Sequence, residues 1–282
     1  SSPFFLYKLG KIVPQHVEHV RVHHSVKFIP AFAFEGRRQL KDVVLPEGLR
    51  KIGEDAFNDC ESLERINFPS TLTAIGYSAF GHCVSLREVK LRKGITSTLT
   101  AIDAFAFCGC VSLEEADLSK VTTIGRSAFG YCRSLEWVNF PSTLTAIGDS
   151  AFDSCRSLER VSLPSTLTAI GDYAFDSCVS LREVKLRKGI QTIGRHAFKD
   201  CCSLERINIP STVTAIGDRA FWFCVSLREV KLCGGIQVIG SDAFACCTSL
   251  DRIAIPSKTF GIISGAANHN CCLLTDGTIT PE

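Results

Sequence analysis

Apolar residues in this chain keep a long, fixed cadence. Residues 152–181 read FDSCRSLERVSLPSTLTAIGDYAFDSCVSL, and the opening Phe-Asp-Ser-Cys returns after 23 residues. Anchored on Ala-Phe pairs, the phenylalanines fall at 34, 57, 80, 107, 129, 152, 175, 198, 221 and 244; every gap is 23 residues except one of 27 and one of 22. The unit reads Leu-x-x-Val/Ile-x-Leu/Phe-Pro, then Ser-Thr-Leu-Thr-Ala-Ile-Gly, then x-x-Ala-Phe-x-x-Cys-x-Ser. The N-terminal stretch keeps the offsets without the cysteine: Val17, Val20, Val22, Val26, Ile29, Ala33 and Phe34 match Leu63, Ile66, Phe68, Leu72, Ile75, Ala79 and Phe80.

One unit holds about eight apolar positions, too few for a core of its own, so the units must stack and bury one another. Leu-x-x-Ile-x-Phe alternates as a strand does, and the Pro after it ends the strand by removing an amide donor. Leu-x-x-Ile-Gly predicts a second short extended piece closed by a glycine turn. Ala-Phe-x-x-Cys is too short for a stable helix and predicts a turn or a single helical coil. The expected fold is a β-rich solenoid of about eleven coils, the first strand unit starting at Val17 and the last at Leu250. Residues 1–16 are expected to form an N-terminal cap, 17–256 the solenoid, and 257–282 a C-terminal cap or tail.

The unit LERVSLPSTLTAIGDYAFDSCVS resembles the BspA-type leucine-rich repeat, a 23-residue class, over roughly residues 17–256. The resemblance implies a leucine-rich repeat superhelix with short irregular turns on its convex side. It also implies adhesion or protein–protein contact, with no shared catalytic residues. Three features depart from the pattern: the 27-residue unit with its insertion around Ile95–Leu99, the 22-residue unit without its Pro at Leu118–Val121, and both chain ends.

Composition narrows the function. The net charge is +2 with acids and bases interspersed, which argues against a nucleic-acid or anionic-membrane footprint. No apolar run approaches the 18 or more residues of a membrane span. The opening SSPFFLYKLGKIV lacks a basic leader and a small-residue cleavage site, and the chain has no Met. It therefore reads as a mature or trimmed product. Nine of the fifteen cysteines (Cys60, Cys83, Cys110, Cys132, Cys155, Cys178, Cys201, Cys224 and Cys247) occupy one repeat column. They are expected as buried thiols behaving as small hydrophobes; an odd total without natural pairing speaks against a disulfide framework. His269, Cys271 and Cys272 lack the spacing of a metal site. Thiols and the absence of Asn-x-Ser/Thr point to the cell interior, whereas the adhesins of the resembling family point to the cell surface. The seven histidines and the acids form no nucleophile–base arrangement. The expectation is a non-enzyme that needs no cofactor or small-molecule substrate and binds protein partners, with a purely structural subunit as the alternative.

Exposed strand positions carry the remaining information. From Arg65 the third-position column reads Arg65, Glu88, Glu115, Trp137, Arg160, Glu183, Arg206, Glu229, Arg252. Much of it alternates in charge, a ladder that sets register and solubility at roughly 0.2–1 kcal/mol per pair. The rhythm breaks at Glu114, Glu115 and Asp117 on one coil and Glu136 and Trp137 on the next. Here Trp137 either anchors a basic or aromatic partner segment or lies flat on Arg160. A second break puts Trp222 and Phe223 where other coils carry Asp, Ser or Gly; these rings either pack on the solenoid edge or meet a partner.

Overall fold

The computed structural model describes residues 4–91, 99–254, 271–273 and 278–281, the last two segments by their backbone. They belong to two compact units, 1–141 and 142–282. Each unit is a parallel β-solenoid in which every coil gives one strand to each of two columns, with no helix among the described residues.

In the first unit the longer strands stack in the order Phe5–Tyr7, His19–Val22, Asp42–Val44, Arg65–Phe68, Glu88–Leu91, Glu115–Asp117, Trp137–Asn139. The predicted register holds: Arg65 lies opposite Glu88 and Ile66 opposite Val89. Phe5–Tyr7 joins the sheet although residues 1–16 fall outside the repeat; it pairs with Val20–Val22, and buried Tyr7 packs its ring 4.8 Å from Phe34. In the second unit Arg160–Ser162 pairs with Glu183–Lys185, and Arg206–Ile209 with Glu229–Leu232 and then Arg252–Ala254. Thr278–Pro281 runs antiparallel to that last strand and pairs in turn with Cys271–Leu273. The two-residue strands, such as Ala74–Ile75 or Ala169–Ile170, form the second column of each unit, always with Ile turned inward.

Hydroxyls of the Ser-Thr-Leu-Thr cassette join neighbouring coils before this second column begins. The Thr71 hydroxyl donates to the Leu49 carbonyl at 2.8 Å and accepts from Gly48 N–H; Thr212 repeats the bond to Ile190 at 2.7 Å. The glycine that follows most of these Ile residues was expected to close a turn. Its role is instead close approach: a Cβ on Gly76 would meet the Gly53 backbone at 2.9 Å, and one on Gly171 the Gly148 backbone at 2.7 Å. A Cβ at either glycine would have to displace that backbone.

The Ala-Phe segment is a double turn, not a helical coil. Two positions per coil take positive φ, for example Asp55 (48°) and Asp59 (58°), or Tyr173 (58°) and Ser177 (57°). This left-handed conformation disfavours L-residues by roughly 1–2 kcal/mol each, so it must be held by other bonds. The backbone supplies them. Asp55, Phe57 and Asp59 N–H donate to Tyr77, Ala79 and Gly81 carbonyls at 2.8–2.9 Å, and Phe175 and Phe198 donate to Ala197 and Ala220 in the same direction at 2.8 Å.

Inside the ladder run the two predicted columns. Phe34, Phe57, Phe80, Phe107 and Phe129 of the first unit are fully buried, as are Phe152, Phe175, Phe198 and Phe221 of the second. Their rings stack nearly parallel within a unit, 5.3 Å apart at 5° for Phe152 and Phe175. Offset stacks of this kind are favourable beyond area burial alone. The nine column cysteines are thiols and more than small hydrophobes. Each thiol from Cys60 to Cys132 donates to the Phe carbonyl of the preceding coil, as Cys60 does to Phe34 at 3.1 Å, and so do Cys178, Cys201, Cys224 and Cys247. Burial pushes the Cys60 thiol up to about 12 and raises Cys83, Cys110, Cys201 and Cys224 well above the usual thiol range.

Two expected outcomes test this core. Phe175→Ala removes one ring from the middle of a stack and should destabilise by about 3–5 kcal/mol through cavity formation; a loss under about 1 kcal/mol in a denaturant melt would contradict the column. Thiol reagent should label few column cysteines in the native protein and nearly all after denaturation, because a thiol held protonated and buried is a poor nucleophile. Mass shifts corresponding to four or more disulfides would contradict the hydrogen-bonded ladder.

Candidate partner-binding surface

The first unit carries an irregular patch where its period breaks. Leu113, Ala116 and Leu118 turn into the core of the 22-residue coil, as do Leu135 and Val138 on the next. Their neighbours in sequence must then face outward: Glu114, Glu115, Glu136 and Trp137 are exposed and Asp117 is half-buried. Register fixes who meets whom. Glu115 lies opposite Trp137, Asp117 opposite Asn139, and on its other side Glu115 opposes Glu88. Like charges therefore adjoin where the ladder elsewhere alternates, an unfavourable arrangement.

Backbone bonds hold this patch in place. Glu136 N–H donates to the Glu114 carbonyl at 2.9 Å. Asp117 is engaged inside the protein, accepting from the Ser119 hydroxyl and from Asn139 Nδ2. Its part is to set the coil that lacks a Pro, while Glu114, Glu115 and Glu136 project their charge. Trp137 remains 50% exposed, a large apolar surface left in water.

Trp222 and Phe223 belong to the second unit and to its turn side, so they form a separate site. Trp222 is half-buried, and the Lys199 ammonium lies over its ring, 5.6 Å from the centroid. That lysine also pairs with Asp200 at 2.7 Å and Asp176 at 3.3 Å. Burial raises the Asp176 pKa against the opposing charge of Lys199. Phe223 is 42% exposed at φ 60° and lies 5.4 Å from the Trp222 ring. Trp222 thus packs on its own coil stack, while Phe223 faces solvent.

Sequence reasoning missed what surrounds Trp222. Tyr173, His196 and Arg219 hold one repeat position on three successive coils; the first two rings stack at 4.7 Å and 7°. His196 is buried with neither ring nitrogen hydrogen-bonded, and burial, then the Arg195 charge, lowers its pKa. With Lys199, Arg219 and Trp222 it lines a cavity of about 280 Å³. The signal was present as three successive bulky side chains at a position that most other coils fill with Ser or Asp.

No group of three or more His, Cys, Asp or Glu among the described residues could hold a metal ion; His269 and the side chains of Cys271 and Cys272 lie outside those residues. No described helix is long and apolar enough to cross a membrane.

Comparison with known proteins places this architecture. Among curated proteins none matches the chain. Among solved structures it is similar to a leucine-rich repeat protein of T. pallidum, at 30% identity and a TM-score of 0.54, with 65% of this chain and 83% of that one covered. It is also similar to a leucine rich cell surface protein of Faecalibacterium prausnitzii, at 27% identity and a TM-score of 0.53, with 90% of this chain and 78% of that one covered. The BspA type leucine rich repeat region matches residues 15–118, 100–224 and 145–275 in six copies. Repeat period, paired strand columns and double turns have the same source: the chain belongs to the BspA-type leucine-rich repeat family.

Proposed function

We propose that the protein is a non-enzymatic binding module that engages a protein partner through the Trp137 patch, with the Trp222–Phe223 edge as a separate contact. One observation carries the reading: a half-exposed Trp137 stands in register with Glu115, beside Glu114 and Glu136, where the 22-residue coil meets the next and charge alternation breaks. An exposed Trp is the residue type most enriched among binding hot spots, and the acids select a basic or aromatic partner segment and speed its approach. A repeated surface offers little to an irregular ligand, so recognition belongs where repetition fails. Family membership supports a protein-interaction role, and the cell-surface neighbour supports an adhesin-like form of it.

The test starts from a partner captured from source extract, identified and purified. Trp137→Ala should leave the melting curve within about 1 kcal/mol yet weaken partner binding by roughly 2 kcal/mol or more, about thirtyfold. Glu115→Lys should slow association and flatten its dependence on salt. Binding unchanged in both variants removes this patch from consideration. A large loss of stability in Trp137→Ala would assign the ring to internal packing instead.

A further inference from the structure

A second surface of the first unit has the shape of a ligand site. A groove of about 840 Å³ crosses five successive coils, from Phe28–Ile29 to Thr123–Ile124. Its floor lies at backbone level, where Gly76 and Gly53 approach too closely for any Cβ. Tyr77 rises from one side, 43% exposed and braced by Phe105 at 5.4 Å, and Phe28 stands 48% exposed at the first coil.

The charges around Tyr77 have a definite spacing. Glu54 lines the groove on the coil before it and Asp103 on the coil after it. One Asp103 oxygen accepts the Ala104 N–H at 2.8 Å, which orients the carboxylate. Asp103 sits one residue earlier in its coil than Glu54 in its own; with coils about 4.8 Å apart, their backbones stand on the order of 10 Å apart, two coils along the groove, with Tyr77 on the coil between. A polyproline II chain has three residues per turn and a rise of 3.1 Å, so its residues i and i+3 share one side about 9.3 Å apart. Grooves lined by aromatic rings favour that conformation because its prolines arrive already ordered.

We propose that this groove binds a proline-rich segment in the polyproline II conformation, with Lys or Arg at i and i+3 on Glu54 and Asp103 and the intervening prolines against Tyr77. Lys51, which also lines the groove, disfavours a cation placed beside it. Acids at the repeat position of Glu54 are committed differently in the second unit. There Asp149, Asp172 and Asp218 accept backbone N–H groups of Asp172, Arg195 and Ser241 at 2.7–2.9 Å. The surface is distinct from the Trp137 patch, and the inference does not depend on that patch.

The test uses the full chain and a fluorescent Lys-Pro-Pro-Lys-Pro-Pro peptide at low ionic strength, read by anisotropy. Saturable binding is expected, lost when both peptide lysines become Glu. Tyr77→Ala should weaken it about tenfold, as should Glu54→Gln combined with Asp103→Asn, which keeps the oxygen that accepts from Ala104. Thermal melts check that each variant is folded. Trp137→Ala should bind the peptide as the parent does. No saturable binding up to about 1 mM, binding indifferent to Tyr77→Ala, or binding lost only in Trp137→Ala would each overturn the proposal.

Discussion

Every coil must find partners for its backbone amides in the next coil, and the rest of the structure follows from that requirement. A loop of 23 residues without a helix pairs only its turn N–H groups internally, and buried groups left unpaired are costly. The chain meets the requirement three times per turn: at the long strand, at the short strand, and at the double turn where Phe N–H reaches the next Ala carbonyl. The third ladder forces the chain into left-handed φ twice per coil. It leaves the Phe carbonyl available to a thiol, which is the physical reason for Cys at that place. Stacked phenylalanine rings are the product of identical coils at one spacing.

The fold was legible because repetition exposes geometry. Apolar positions at identical offsets gave both columns and the strand register down to the opposition of Arg65 and Glu88. What lay beyond the pattern concerned the turn side. Asp55, Ser78, Phe105 and Tyr173 share the first left-handed position, and no single residue type marks it because the inter-coil ladder, not local propensity, enforces the conformation. Likewise Gly76 reads as a turn residue until the Gly53 backbone is seen beneath it. Phe5–Tyr7 escaped because an edge strand needs only one partner and so only half the pattern.

The candidate surface was legible as an exception and no further. The sequence singles out Trp137 and its acids as a break in charge alternation, and the structure adds that Asp117 is tied to Ser119 and Asn139 while Glu114 and Glu136 project. Concavity has no such trace. The groove beneath Tyr77 arises where small residues of several coils align, and only stacking brings them into line.

The double-turn ladder also gives each stack a direction. Phe N–H always points to the coil that follows, and its Ala carbonyl to the one before. Aligned peptide dipoles add, so a stack has a carbonyl-facing end and an amide-facing end. A copied coil can be spliced in anywhere, provided it enters head to tail. The units of 27 and 22 residues show how little else matters: Phe80 and Phe107 span them with ladder bonds of 2.8 Å each. Recombination between near-identical repeats can therefore change the number of coils in such a lineage, while the polarity of the stack stays fixed.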